Sequence, residues 1–224
     1  MIRTVLPAGA VAVEARGDLP GVSLLPEEEA LIAGAVGRRR REFATGRACA
    51  HAALAQLGLP LSPLLNGAHR EPLWPAGVVG SLTHCAGYRA AAVARSAEVL
   101  SLGIDAEPDA ALPDGLLRSV GLPAERERLA ALPAGPVHWD RLLFSAKEAV
   151  YKAWFPLARR GLEFHQAEIT IAPDIGPDTG PGGGVLTARL LVPGPVVGSR
   201  ELTRLSGRWA AADGLLLTCM ALPA

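Results

Sequence analysis

One segment in the second half of the chain has the clearest helical pattern. Between residues 139 and 157, apolar side chains recur at spacings of three and four, which places them along one side of an α-helix. They are Trp139, Leu142, Leu143, Ala146, Ala149, Val150, Ala153, Trp154 and Leu157. Pro156 should kink or end this helix, because proline has no backbone N–H, and Gly161 closes the region. The pattern therefore predicts a long amphipathic helix packed on a core.

The same helix carries the only two lysines of the chain. Of 22 basic side chains, all except Lys147 and Lys152 are arginine. Where arginine has so nearly replaced lysine, the remaining lysines indicate sites that need a compact ammonium group. Glu148 and Lys152 are four residues apart and share a face, whereas Lys147 points elsewhere. The competing interpretation is an ordinary ion pair on a solvated face, contributing about 0.2–0.5 kcal/mol.

Composition and charge limit the classes to which the chain can belong. Its 224 residues are 50% hydrophobic and 20% charged, which suits one large globular domain or two small ones. Because 22 acidic residues balance 22 basic ones, bulk charge predicts neither a nucleic-acid nor a membrane partner. The cysteines have no metal or disulfide spacing, and no signal peptide or membrane span is visible. We expect a cytoplasmic protein, either an enzyme or a binding module.

The order of predicted elements divides the chain into two halves, residues 1–102 and 103–224. The first contains a helical stretch that begins at Pro26 and is split at Gly34 and Gly37. Strands are predicted at 2–15, 78–82, 90–94, 99–104, 166–172, 185–192 and 207–221. The last of these is a hairpin around Asp213-Gly214, and the Gly- and Pro-rich stretch 173–184 is a loop. Each half thus combines helices with a small set of strands.

Two carboxylates follow one another at the end of a predicted strand. Asp105 and Glu107 are two residues apart, so both point to the same face. Paired carboxylates repel unless a cation lies between them, and hard cations such as Mg²⁺ take oxygen ligands. The alternative is a solvated strand end before a Pro-rich loop.

An arginine run and a polar turn are candidate anion-binding features. In Arg38 to Arg41, four consecutive side chains point to four sides of a helix, so one phosphate cannot engage them all. Arg40 and Arg47 align on a straight helix, whereas Arg39 and Arg47 align only on a bent one. The turn at Thr83-His84 offers hydroxyl, imidazole and backbone N–H groups. A solvated basic turn and a structural loop histidine are the alternatives, and nucleophilic serine chemistry lacks its G-x-S-x-G motif.

Taken together, three segments resemble the phosphopantetheinyl transferase superfamily in its enterobactin-synthase-type branch. They are Val-Gly-Ser-Leu-Thr-His-Cys at 79–85, Gly-Ile-Asp-Ala-Glu-Pro at 103–108 and Phe-Ser-Ala-Lys-Glu-Ala-Val-Tyr-Lys-Ala-Trp-Phe at 144–155. Arg-Glu-Phe-Ala-Thr-Gly-Arg at 41–47 and Arg-Glu-Pro-Leu-Trp-Pro at 70–75 also fit this branch. The order and spacing match, and the third segment is the most specific.

The resemblance implies an α+β fold of two similar α/β subdomains related by a pseudo-twofold axis, with the active site in the cleft between them. It implies transfer of 4′-phosphopantetheine from coenzyme A to a serine of an apo acyl, peptidyl or aryl carrier protein, with release of 3′,5′-ADP. Mg²⁺ is the implied cofactor. Siderophore and polyketide synthesis are among the systems that use such carriers, and we expect a monomer because one chain holds both halves.

The resemblance also assigns roles to residues. It implies a metal site formed by Asp105, Glu107 and Glu148, and catalysis by Glu148 as the base and Lys152 beside the leaving phosphate. The implied coenzyme A contacts are Arg39, Arg47, Asn66, Gly67, Ala68, His69, Arg70, Thr83, His84, Asp105, Lys147 and Lys152. Asn66 stands where relatives often have lysine, and Arg70 is the candidate substitute.

Two other classes of function remain as alternatives. One is a different Mg²⁺-dependent phosphoryl-transfer enzyme or hydrolase that acts on coenzyme A or nucleotides, without a protein acceptor. The other is a carrier-binding or structural protein with an inactive site, although Asp105, Glu107, Glu148 and Lys152 are all present.

Overall fold

Two antiparallel sheets and two 20-residue helices form the framework of the computed structural model, which describes residues 1–174 and 182–224. The first sheet has the order β1-β3-β2, with β1 at Ala10–Arg16, β2 at Val78–Cys85 and β3 at Tyr88–Arg95. The second has the order β4-β10-β9-β6-β5. Its strands are β4 (Val99–Pro108), β5 (Ala167–Pro173), β6 (Gly183–Leu190), β9 (Arg204–Ala212) and β10 (Leu215–Pro223). A short ribbon pairs β7 (Val196–Val197) with β8 (Arg200–Glu201).

Five α-helices connect and cover these sheets in the described residues. They are α1 (Pro26–Leu31), α2 (Gly37–Gln56), α3 (Leu116–Val120), α4 (Pro123–Ala130) and α5 (Trp139–Ala158). Helix α5 confirms the predicted amphipathic helix, and its buried side, with Leu142, Ala149 and Trp154, packs on the second sheet. Pro156 lies within its last turn, and Arg159 caps it with a left-handed φ of 52°.

Small side chains allow the first sheet to be covered on both faces. On one face of β3, Ala91 and Val93 pack against α2. On the other face, Ala90 and Ala92 share a core with Ile104 and other residues of the second sheet. Strands β2 and β4 lie side by side where the two sheets meet, and the Ser81 and Thr83 hydroxyls of β2 accept from backbone N–H groups of β4. The predicted division after residue 102 falls inside β4, whereas the chain passes from one sheet to the other just before Val99.

Most predicted strands are present with shifted ends. The opening stretch is interrupted: Ile2–Val5 is a 3₁₀ turn, and β1 starts only after Gly9, whose φ is 80°. The β9–β10 hairpin is confirmed, since Asp213 and Gly214 have the positive φ values, 49° and 73°, that a tight two-residue turn requires. Most of the predicted loop 173–184 lies outside the described residues. Within residues 1–174 and 182–224, no helix is long and apolar enough to cross a membrane.

Candidate active site

The close approach of α5 to β4 creates the acidic side of the site. Gly103 permits this approach, because a Cβ atom there would overlap the Ala149 carbonyl oxygen and come 2.5 Å from the Ala153 nitrogen. Ser101 adds a hydrogen bond to the Ala153 carbonyl. Two residues beyond Gly103 on β4, Asp105 therefore lies next to the polar side of α5.

Lys152 pairs with Asp105 instead of forming the helical pair with Glu148 that its spacing predicts. Its ammonium nitrogen lies 2.7 Å from Asp105 Oδ1 and donates to the Ile104 carbonyl at 3.1 Å. The Glu148 carboxylate forms no ion pair with any described residue. Burial raises the pKa of Glu148, although the nearby Lys152 ammonium lowers it. A tertiary contact has thus replaced the local one and left Glu148 available.

Glu107 is held by an arginine that precedes the Lys-Glu segment. Arg141 donates to Glu107 Oε2 at 3.0 Å, and its other nitrogens donate to the carbonyls of Ala110 and Ala111 at 3.1 and 2.9 Å. Burial and the Asp105 charge raise the pKa of Glu107, with Arg141 opposing them. The contact with Arg141 therefore partly offsets the cost of placing the Glu107 carboxylate in a partly buried position.

The three carboxylates have the chemistry of a magnesium shell. Asp105 Oδ1 accepts from Lys152 and from the Thr83 hydroxyl, but the buried Asp105 Oδ2 has no hydrogen-bond partner among the described residues. An unpartnered buried carboxylate oxygen is costly, and a hard cation would satisfy it. In the part of the chain that is described, no three acidic, His or Cys side chains already enclose a metal position. Asp105, Glu107 and Glu148 therefore fit Mg²⁺ by donor type.

The basic side of the site comes from α2 and β2. The Arg39 guanidinium lies 3.3 Å from His84 Nε2. Burial lowers the pKa of His84, and the Arg39 charge lowers it further. A neutral imidazole can accept the Arg39 hydrogen bond. Arg40 instead reaches Glu29 and the Ile32 carbonyl, so the arginine that joins Arg47 at the site is Arg39.

Arg47 is buried and held from several directions. It donates to Asn66 Oδ1 at 2.7 Å, and its guanidinium stacks 4.3 Å above the Phe43 ring. Its Nε lies 3.8 Å from the buried Glu28 carboxylate. Burial lowers the pKa of Arg47 to about 10, against the opposing effect of Glu28, so the side chain stays cationic at neutral pH. Asn66 thus contacts Arg47, which the sequence did not predict.

The loop between α2 and β2 forms one wall. Asn66 and Pro72 bridge its two sides, and the His69 ring packs against Phe155 of α5 with 5.2 Å between centroids. Arg70 has a left-handed φ of 67°. Asn66, His69 and Arg70 line the cavity described below, whereas Gly67 and Ala68 do not.

A single cavity of about 790 Å³ brings most of the predicted residues together. Its walls come from α2, the 66–74 loop, β2, β4 and α5. The predicted residues on its walls are Arg39, Arg47, Asn66, His69, Arg70, Thr83, His84, Asp105, Glu107, Glu148 and Lys152. The cavity therefore places carboxylates and cationic groups around one volume.

Lys147, predicted as a coenzyme A contact, lies outside this cavity. Its ammonium pairs with Glu125 at 2.9 Å and donates to the carbonyls of Phe164 and Ala167 at 2.7 and 2.6 Å. Both charged side chains are only 1% exposed. Burial lowers the pKa of Lys147, and Glu125 opposes that change. The prediction is corrected: Lys147 joins α5 to α4 through Glu125, and to the segment after α5 through the two carbonyls.

Sequence reasoning missed Glu28, although its motif is visible. Leu25-Pro26-Glu27-Glu28 is a helix start in which Glu28, three residues after the N-cap, accepts from the Leu25 N–H. Its other oxygen accepts from the Leu64 N–H at 2.9 Å and contacts His51 at 2.8 Å. The capping pattern predicts the helix start; the contacts around Arg47 depend on tertiary structure.

Comparisons with known proteins agree with this geometry. Residues 27–94 match the model of the 4′-phosphopantetheinyl transferase N-terminal domain, and residues 101–188 match that of the 4′-phosphopantetheinyl transferase superfamily. The chain is 57% identical to 4′-phosphopantetheinyl transferase Svp of Streptomyces mobaraensis, covering 100% of this chain and 90% of the relative. It is 48% identical to 4′-phosphopantetheinyl transferase PptT of Mycobacterium tuberculosis, covering 99% and 98%.

A more distant relative supports the branch that the motifs indicated. Enterobactin synthase component D of Escherichia coli is 38% identical over 120 residues, which is 52% of this chain and 56% of the relative. Residues from each of the three motifs line the cavity. The similarity to Svp and PptT extends over the whole chain. The chain belongs to the 4′-phosphopantetheinyl transferase superfamily.

Proposed function

We propose that the cavity transfers 4′-phosphopantetheine from coenzyme A to a serine of an apo carrier protein and releases 3′,5′-ADP. The observation that carries this proposal is one volume lined by Asp105, Glu107 and Glu148 together with Arg39 and other cationic groups. Such a volume suits a substrate with several phosphates and a divalent cation. Family membership supplies the reaction class.

The finer fold is part of the proposal: the chain forms two similar halves related by a pseudo-twofold axis, with the cavity as the cleft between them. The sequence divides the halves into residues 1–102 and 103–224, and the two sheets divide the chain just before Val99. A repeated motif supports this. Leu-Pro-x-Glu begins α1 at residue 25 and α4 at residue 122. The glutamates of the two motifs, Glu28 and Glu125, are both buried, and a 20-residue helix follows each motif. Glu28 accepts a hydrogen bond from the Leu64 N–H, which lies beyond α2, and Glu125 accepts one from the Ile169 N–H, which lies beyond α5.

Asp105, Glu107 and Glu148 are the residues that would hold Mg²⁺. The bound ion would neutralise the pyrophosphate of coenzyme A and stabilise the charge that develops on the leaving phosphate. The unpartnered Asp105 Oδ2 supports this assignment. A bound cation would also offset the burial that raises the pKa of Glu107 and Glu148.

The phosphates of coenzyme A would contact the basic side of the cavity. Arg39 and Arg47 offer guanidinium groups, and His84 offers an imidazole next to Arg39. Arg70 and His69 stand on the loop where the nucleotide would lie. Fixed donors in a partly buried volume stabilise phosphate charge more than solvated ones do.

Glu148 and Lys152 would carry the proton and charge changes of the transfer. The carrier serine oxygen forms a bond to the β-phosphorus, the bond from that phosphorus to the 3′,5′-ADP oxygen breaks, and the serine proton passes to Glu148. Glu148 is the candidate base because its carboxylate lines the cavity and forms no ion pair with a described residue. The Lys152 ammonium would stabilise the leaving phosphate.

The proposed partners are coenzyme A and an apo acyl, peptidyl or aryl carrier protein. The protein would act in the cytoplasm. It would act as a monomer, because one chain supplies both the acidic and the basic sides of the cavity. Neither a membrane nor a nucleic acid is needed for this reaction.

The direct test incubates the protein with coenzyme A, Mg²⁺ and a panel of apo carriers, and measures intact carrier mass. We expect each accepted carrier to gain one phosphopantetheine, and the same carrier with its acceptor serine replaced by alanine to gain nothing. Consumption of coenzyme A without any carrier gaining mass would instead support a hydrolase and contradict the proposal.

A further inference from the structure

Ser81 and Thr83 connect β2 to β4 through their hydroxyl groups. Ser81 Oγ accepts a hydrogen bond from the Ile104 N–H at 3.0 Å, and Thr83 Oγ1 accepts one from the Ala106 N–H at 3.0 Å. Both residues are 4% exposed. The two hydroxyls therefore make equivalent links between the first and the second sheet.

Thr83 has one contact that Ser81 lacks. Its hydroxyl lies 3.2 Å from Asp105 Oδ1 and donates its proton to that oxygen. Lys152 donates to the same oxygen from α5 at 2.7 Å. Two donors on Oδ1, from opposite elements, fix the rotation of the carboxylate and leave the buried Oδ2 without a partner among the described residues.

We infer that Thr83 is a positioning residue that orients Asp105 so that its Oδ2 is presented to a divalent cation. This inference rests on the proposed function, because it needs the cation site. It replaces the sequence-based expectation that the Thr83 hydroxyl binds a coenzyme A phosphate, since the single hydroxyl proton is already donated to Asp105. It also makes the geometry of a metal ligand on β4 depend on a strand of the other sheet.

The test uses three variants, Thr83→Val, Thr83→Ser and Ser81→Ala, with Mn²⁺ as the probe. Free Mn²⁺ is measured by electron paramagnetic resonance in the presence of coenzyme A. Thr83→Val keeps the side-chain shape without the hydroxyl, and we expect Mn²⁺ affinity to fall about 10- to 100-fold, as for other residues that orient a metal ligand. Thr83→Ser keeps the hydroxyl and should stay close to the wild type.

Ser81→Ala is the matched control for structural loosening. It removes the same kind of link between β2 and β4 without touching Asp105. We expect Thr83→Val and Ser81→Ala to lower the melting temperature similarly, because each leaves one β4 N–H without its acceptor. Only Thr83→Val should weaken Mn²⁺ binding.

Four outcomes would overturn the inference. Wild-type Mn²⁺ affinity in Thr83→Val would show that the hydroxyl does not position the metal ligand. Equal loss of Mn²⁺ affinity in Ser81→Ala and Thr83→Val would mean that loosening of the sheets is the cause. Weaker coenzyme A binding by Thr83→Val in the presence of EDTA would assign the hydroxyl to a phosphate. Failure of the wild-type protein itself to bind Mn²⁺ with coenzyme A would remove the proposed function as well, and that result is read before any variant is compared.

Discussion

At the scale of single residues, Lys147 and Lys152 differ in the groups around their ammonium nitrogens. Lys152 is 27% exposed and reaches Asp105 on the cavity wall, whereas Lys147 is 1% exposed and pairs with Glu125. The two positions need a lysine for different reasons. Lys152 is the proposed cation of the active site. Lys147 has a compact ammonium group that fits between two backbone carbonyls.

Lys147→Met tests the structural role. Removing one partner of a buried ion pair leaves the Glu125 charge uncompensated, so we expect the free energy of unfolding to fall by about 3–5 kcal/mol. Urea denaturation measures this loss. The double variant Lys147→Met with Glu125→Gln should recover part of it. The turnover of the folded fraction should be unchanged, and a selective loss of coenzyme A binding would return Lys147 to the active site.

Glu148→Gln tests the proposed base. The amide cannot accept the serine proton, so we expect the rate of carrier modification to fall about 100- to 10,000-fold. The melting temperature should not fall, since the substitution replaces a half-buried carboxylate that forms no ion pair with the described residues by a neutral group. A rate near that of the wild type, with the same Mg²⁺ requirement, would show that another group takes the proton.

At the scale of elements, the contact between β4 and α5 sets the distance from Asp105 and Glu107 on the strand to Glu148 on the helix. Gly103 faces the Ala149 carbonyl and the Ala153 nitrogen with no room for a side chain. Asp105 lies two residues after Gly103 on the same face of the strand. Glu148 comes directly before Ala149 on the helix. The separation of these carboxylates is therefore linked to the absence of a Cβ atom at Gly103.

Gly103→Ala should destabilise the protein and weaken the site together. Overpacking in a closed core costs about 1–3 kcal/mol, and the helix can yield only by moving away from β4. We expect a lower denaturation midpoint and weaker Mg²⁺ binding in the same variant. Gly135→Ala is the control, because a Cβ atom there meets nothing within 4 Å. Equal effects of both substitutions would argue against the close approach as the cause.

At the scale of the whole molecule, two acids with raised pKa values face a cavity to which both sheets contribute. Burial is the main cause of the raised pKa of both Glu107 and Glu148. A carboxyl whose pKa is raised in the folded state contributes stability below its unfolded pKa and loses that contribution as the pH rises through the folded pKa. Without a cation, ionisation of these two buried carboxyl groups should therefore lower the free energy of unfolding as the pH rises.

Mg²⁺ and coenzyme A should therefore stabilise the protein more at neutral than at acid pH. Cation binding needs the ionised carboxylates, so protonation of Glu107 and Glu148 competes with it. We expect the rise in melting temperature on adding both ligands to be larger at about pH 8 than at about pH 5, where model carboxyl groups begin to protonate. Scanning calorimetry at both pH values measures it, and Glu148→Gln should reduce the difference. A pH-independent rise would contradict this account.

Local sequence patterns determined much of the framework, and the family motifs nominated many of the residues that line the cavity. Backbone geometry depends on near neighbours in the chain, so local patterns are enough to predict three features. They are the helix α5, the tight turn at Asp213-Gly214 and the shared face of Asp105 and Glu107. The motifs they carry were sufficient to identify the family and to nominate eleven of the residues that line the cavity.

Tertiary structure decided which partner each polar group takes. It paired Lys152 with Asp105 rather than with Glu148, buried Lys147 against Glu125, and directed the Thr83 hydroxyl to Asp105. These groups meet across different helices and strands, at distances along the chain that no periodicity encodes. For these three groups, pairing with a distant residue costs less than remaining buried without a partner, and the local contact is given up.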